Sequence, residues 1–241
     1  MSEAPLDPAP AGDRPLAYRH RPGLGPTIVF LPGYMSDMEG TKALALDQWA
    51  EQHGRAMLRF DYGGVGASRG EFEAQALADW RDDALAMIDQ VAEGPVVLVG
   101  SSMGGWLMLH VALARPDRVV GLIGVAAAPD YTGWGFTQEE KMTILREGRI
   151  VHGERVTSRA FWESGEGLRL LHAPIEIDLP VRLLHGQQDE TVPWAYALEI
   201  AKQLRSADVQ TVLVKDGDHR LSRDQDIALL IATVEQLLEA L

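Results

Sequence analysis

Two hydrophobic periods alternate along this chain, and that alternation most narrows the folds open to it. Short, continuous apolar runs rich in β-branched residues stand at 27–31, 57–60, 96–99, 119–125, 181–184 and 209–214. Between them lie stretches with apolar residues at helical spacing: 41–53, 74–92, 103–114, 194–205 and 224–240. Successive side chains of a strand point to opposite faces, so a run that is apolar throughout must be covered on both. Such runs separated by helices predict an α/β architecture, a mainly parallel sheet with helices on both faces. Right-handed crossovers bring the strand C-termini to one edge, where the sites of these sheets are built.

Residues 131–178 break the alternation. They separate two strands by more than one helix requires and carry Trp134, Phe136, Phe161 and Trp162. We expect a mostly helical lid insertion over the strand C-termini, leaving 16–130 and 179–241 as the core. Residues 1–15 are rich in Pro and Ala and are expected to form a disordered or loosely docked tail. They lack the basic start and apolar stretch of a signal peptide and are not Arg-rich like a transit peptide, so the expected compartment is the cytoplasm.

Composition removes several classes of function. The chain has no cysteine, which excludes a disulfide framework, a thiol nucleophile and a Cys-ligated metal. Its net charge of −13 argues against binding nucleic-acid backbones or anionic membranes. No run of 18 apolar residues is present, so no membrane span is expected.

Two G-x-S-x-G pentapeptides occur. In the first, Gly66-Ala67-Ser68-Arg69-Gly70, the serine follows a glycine-rich turn and precedes Glu71 and Glu73, with no buried strand delivering it. It reads as a turn and helix N-cap. The second, Gly100-Ser101-Ser102-Met103-Gly104, sits between a buried strand and a helix. That is the strand–turn–helix context of a nucleophile elbow, in which the serine is held at a strained backbone angle and its neighbours must be small.

A serine hydroxyl needs a base within hydrogen-bond reach and a group to orient that base. His219 follows the last strand, at the edge where a base belongs. His110 reads as a packed or partner-bonded helix residue, and His185 as a strand-end residue shaping the next turn. For the acid, Asp189 follows the 181–184 strand, and Asp130, at the end of the preceding strand, is the alternative. The oxyanion of acyl transfer needs two backbone N–H donors. Met103, directly after the serine, and Tyr34, in the Pro32-Gly33-Tyr34-Met35 loop, are the candidates.

These residues together resemble the α/β-hydrolase fold. The blocks at 31–43 (LPGYMSD–EGTKA), 59–68 (RFDYGGVGAS), 99–110 (VGSSMGGWLMLH), 183–194 (LLHG–D–VPW) and 218–220 (DHR) resemble one family more closely. It is the mitochondrial palmitoyl-protein thioesterase and mycophenolic acid acyl-glucuronide esterase family, with its bacterial relatives. The likeness runs from about residue 24 to 238 and is weakest in the insertion. It implies the same roles for Ser102, Asp189 and His219 that the residues suggest by themselves.

The expected activity is that of a serine hydrolase acting without metal or cofactor on carboxylic esters or thioesters. The expected partner is a small acyl ester or thioester, with an acylated protein as a further candidate. Trp134, Phe136, Phe161, Trp162 and Leu168 are candidates for an acyl pocket, or else form the small core of the insertion. Tyr62 and Trp106 read as packing residues. An acyltransferase or C–C bond hydrolase with the same residues, and a non-catalytic binder using the pocket, stay open as alternatives.

Overall fold

All six apolar runs become strands of one eight-stranded sheet. The computed structural model describes residues 7–11 and 14–241. Its strands are β1 (Asp7–Ala11), β2 (Arg14–Arg21), β3 (Leu24–Leu31), β4 (Arg55–Phe60), β5 (Val96–Ser101), β6 (Val119–Val125), β7 (Arg149–His152), β8 (Arg155–Ser158), β9 (Val181–Gly186) and β10 (Val209–Val214). The large sheet has the order β1-β2-β4-β3-β5-β6-β9-β10, antiparallel at β1–β2 and β2–β4 and parallel elsewhere. The helices are α1 (Thr41–Gln52), α2 (Leu77–Gln90), α3 (Met103–Ala114), α4 (Tyr131–Trp134), α5 (Gln138–Glu147), α6 (Arg159–Gly167), α7 (Ala195–Gln203) and α8 (Asp224–Ala240).

The period-two geometry of the strands explains why their runs are apolar throughout. In β5, Val96 and Leu98 point into one core and Val97 and Val99 into the other. In β3, Val29 and Leu31 share the first core, Ile28 and Phe30 the second. The first core is closed by α2 (Leu77, Trp80, Met87), α3 (Trp106, Leu107) and α7 (Ile200). The second is closed by α1 (Leu46, Trp49) and α8 (Val234, Leu237). Each fully buried aliphatic side chain contributes about 1.5–3 kcal/mol, so the central strands anchor the fold. No helix among the described residues is long and apolar enough to cross a membrane.

The N-terminal expectation needs correction. Residues 7–11 are not a loose tail but an edge strand paired with β2, whose first residues 14 and 15 were also expected in the tail. The reason is tertiary: β2 pairs with β4 and buries Leu16 and Ala17, and β1 then extends the sheet at its edge, where prolines are tolerated. Residues 1–6, 12 and 13 lie outside the described residues.

Residues 131–178 contain α4, α5, a β7–β8 hairpin and α6. The three helices make up most of their regular structure, as expected, and the hairpin is the one element that expectation did not include. Gly153 at φ 61° takes the left-handed first position of a two-residue turn between β7 and β8, and no side chain fits that position well. Thr137 and Glu140 form a capping box at the start of α5, and the Ser158 hydroxyl accepts the Phe161 N–H at the start of α6.

Candidate active site

The loops after β3, β5, β9 and β10 converge at the C-terminal edge of the sheet. Ser102 turns β5 into α3 with φ 54° and ψ −116°, a strained conformation for a residue with a side chain. Its amide donates to Val125 O at 2.9 Å, and its carbonyl accepts from Gly105 and Ala128 N–H. The turn works only because its neighbours are small. A Cβ on Gly100 would stand 2.4 Å from Gly104 O, and one on Gly104 would stand 2.0 Å from Leu31 O. The N-terminus of α3 therefore lies directly against the end of β3.

Asp189 and His219 are brought together by a second close approach. A Cβ on Gly186 would lie 2.2 Å from Gly217 O, so the loops leaving β9 and β10 cross in contact. Gln187 and Gln188 N–H bond Val214 O and Gly217 O across that crossing. His219 Nδ1 then stands 2.7 Å from Asp189 Oδ2, and His219 Nε2 stands 3.1 Å from Ser102 Oγ. An ionised carboxylate only accepts, so Nδ1 carries the proton and the Nε2 lone pair faces the serine hydroxyl. This arrangement can draw a proton from Ser102 and stabilise the imidazolium that results.

The Asp189 side chain is fully buried. Its Oδ1 accepts the Thr191 and Val192 N–H groups, both at 2.8 Å. Its Oδ2 accepts from His219 and also from His185 Nε2 at 3.1 Å. Burial alone would raise this carboxyl, but the hydrogen bonds from His185, His219 and the Val192 amide hold it well below the ordinary carboxylate range. Asp130 is elsewhere: its carboxylate accepts the Leu170 and Leu171 amides at 2.7 and 2.9 Å, binding the insertion to the end of β6. Ser68 is structural as well, but as a tie between strands rather than a helix cap. Its Oγ accepts Ala17 N–H at 2.8 Å and donates to Asp61 O at 2.6 Å.

A cavity of about 240 Å³ opens onto Ser102 and His219. Tyr34 and Met103 both line it, and Gly33 packs so closely that a Cβ there would meet Ser102 Cβ at 3.3 Å. The Tyr34 ring stacks edge-on to Phe72 and Trp80, and its hydroxyl donates to Val156 O in the hairpin. Burial pushes the Tyr34 phenol upward. Among the described residues, no group of three or more His, Asp or Glu side chains is arranged to hold a metal ion.

Of the aromatic and aliphatic candidates in the insertion, Phe161 alone lines the cavity. Trp134 stacks on Tyr196 at 4.3 Å and donates to Pro129 O. Phe136 is buried edge-on to Tyr131, and Trp162 donates to Thr132 O at 3.2 Å. Leu168 packs on the main core, and its carbonyl accepts from Trp106 Nε1 and His110 Nε2. For Trp162 the reason is helical geometry: adjacent residues on α6 point about 100° apart, so it faces away from the wall that Phe161 lines. The insertion instead supplies Tyr131, Arg155 and Thr157, and the core supplies Lys42, Trp106 and Arg220. Sequence reasoning missed the polar members of this set. The β-branched residues on either side of Gly153 (Ile150, Val151, Val156 and Thr157) were the signal that could have located a hairpin, and with it Arg155 and Thr157. Burial, and then the nearby Arg220 charge, lower the Lys42 amine to about 8.

Comparison with known proteins gives the family and the fold. Residues 25–134 match a family described as serine aminopeptidase, S33. The chain is 44% identical over 236 residues to the human protein named palmitoyl-protein thioesterase ABHD10, mitochondrial, covering 94% of this chain and 77% of the human one. The structure of mouse alpha/beta hydrolase domain-containing protein 10 superposes with a TM-score of 0.94 at 41% identity, covering 98% of this chain and 99% of that one. A crystal structure described as "Putative hydrolase from Agrobacterium vitis S4" superposes at TM-score 0.89 and 34% identity, covering 97% of this chain and 99% of that one. The chain belongs to the ABHD10 palmitoyl-protein thioesterase family of α/β-hydrolase enzymes.

Proposed function

We propose that this enzyme is a serine hydrolase that cleaves carboxylic esters or thioesters through an acyl-enzyme on Ser102. The observation that carries the reading is the continuous hydrogen-bonded chain from Ser102 Oγ through His219 to Asp189 beside the cavity. His219 Nε2 takes the Ser102 proton as Oγ attacks the acyl carbon. The tetrahedral oxyanion rests on the Met103 and Tyr34 amides, each such donor being worth about 3 kcal/mol to the transition state. His219 returns its proton to the departing alcohol or thiol. Water then repeats the cycle on the acyl-enzyme and releases the acid.

In this reading residues 131–178 act as a lid, with Phe161 and Tyr131 as the apolar wall for the acyl group. Relatives named palmitoyl-protein thioesterases support the thioester arm and an acylated protein as a substrate class. The cytoplasmic location expected from residues 1–15 is part of the same proposal, against relatives named mitochondrial. Fractionation of the tagged full-length chain beside compartment markers checks it.

The deciding experiment is hydrolysis of p-nitrophenyl esters and matched acyl thioesters, from short to long chains, by wild type and Ser102→Ala. Turnover and covalent fluorophosphonate labelling are expected in the wild type and absent in the variant. Labelling or turnover that survives in Ser102→Ala would sink the assignment.

A further inference from the structure

We propose that His185 is a positioning residue for this site, holding the Oδ2 atom of Asp189 in line with His219. The proposal rests on the roles assigned to Ser102, His219 and Asp189 in the preceding subsection.

His185 lies in β9, in register with Leu213 of β10, and is 1% exposed. Its Nε2 stands 3.1 Å from Asp189 Oδ2 and 3.0 Å from Val192 O. Both partners are acceptors, so Nε2 carries the proton and shares it between them. Nδ1 is buried with no hydrogen-bond partner. A proton there would be a buried donor without an acceptor, so the partners favour the Nε2–H tautomer.

That orphan nitrogen separates a functional histidine from a packing one. A buried polar atom left unpaired costs about 1–3 kcal/mol, whereas Leu or Phe would fill the same space at no such cost. What the imidazole supplies, and an apolar side chain cannot, is the hydrogen bond to Asp189. The geometry of the carboxylate shows why this bond is needed. Two backbone amides fix Oδ1. Without His185, Oδ2 would be held by His219 alone, the group it has to orient. His219 changes charge during each turnover, so a partner outside the proton transfer must hold the acid still. A ring on a buried strand, with its Nε2 held between Asp189 and Val192 O, meets that need. The His185 hydrogen bond is one of those that hold the Asp189 carboxyl down against its burial.

The test uses His185→Phe, His185→Gln and Ser102→Ala in the full-length chain. The readouts are kcat and KM on a p-nitrophenyl ester, Tm, and the downfield proton resonance of the His219–Asp189 hydrogen bond. Loss of a hydrogen bond to a charged group predicts that His185→Phe lowers kcat about ten- to hundredfold, with KM within about twofold. The downfield resonance should broaden or vanish. The Gln side-chain nitrogen reaches the Nε2 position, so His185→Gln should recover most of kcat and the resonance. Should the Phe variant fail to fold, His185→Asn, whose nitrogen reaches only the Nδ1 position, takes its place with the same expected loss. A folded Phe or Asn variant that keeps kcat within about threefold, or that loses activity through KM alone, overturns the proposal. So does a Gln variant no better than Phe or Asn. Turnover by Ser102→Ala would overturn the hydrolase reading itself, which the His185 comparison does not address.

Discussion

Asp189→Asn is the sharpest perturbation of this site, because the structure fixes what the amide must do. The carboxylate receives four hydrogen bonds and donates none. Asn keeps one acceptor oxygen, which satisfies the Thr191 and Val192 amides only from the Oδ1 position. Its NH₂ then faces His219 Nδ1 at the site of a 2.7 Å bond. A donor there forces the His219 proton onto Nε2, which now points an N–H at Ser102 Oγ in place of a lone pair. The base is lost while the fold remains. The same change of tautomer in Ser-His-Asp enzymes costs about 10⁴ in kcat, or roughly 5 kcal/mol of barrier. Steady-state ester hydrolysis and the rate of fluorophosphonate labelling should both fall to that extent, with an unchanged circular dichroism spectrum. A folded variant with kcat within about tenfold of wild type would refute the tautomer argument. A 10⁴-fold loss in Asp130→Asn instead would transfer the acid role to Asp130. That substitution is expected to weaken the anchoring of the insertion and leave the base in place.

Three further outcomes are expected. Ser68→Ala should leave labelling intact but lower unfolding free energy by about 1–3 kcal/mol, since it strands the buried Ala17 amide; urea unfolding measures this, and loss of labelling would contradict it. Gly104→Ala should destabilise by about 3 kcal/mol or more, or prevent folding, because its Cβ would stand 2.0 Å from Leu31 O, a backbone atom; a variant with wild-type Tm would show that β3 and α3 can separate. Lys42 releases its proton at about 8 in the folded chain, against 10.5 ordinarily. Between those values the unfolded chain holds more protons, so stability should rise with pH there relative to Lys42→Met. Urea unfolding of both proteins at pH 7 and pH 10 checks the sign, and a pH-independent difference would refute it.

The sequence by itself determined the features that local chain geometry encodes. A strand apolar at every position, as at 96–99, has to be interior, and one followed by small residues and a helix has to turn sharply at Ser102. His219 and Asp189 each follow directly from a strand end, so their arrival at one sheet edge was legible from topology. Side-chain direction and long-range pairing were not. The β1–β2 edge exists because β4, more than thirty residues away in sequence, offers its free side to β2. Whether Phe161 or Trp162 faces the cavity depends on the rotation of α6 against the core, which composition does not specify. The repeated pentapeptide is the clearest case. Ser68 and Ser102 share the same local spelling, yet one ties Ala17 to Asp61 and the other faces an imidazole. The difference comes from what the rest of the chain packs beside each serine. His185 shows the same limit: four residues from Asp189 in sequence, it meets the carboxylate because the loop folds back over the end of β9.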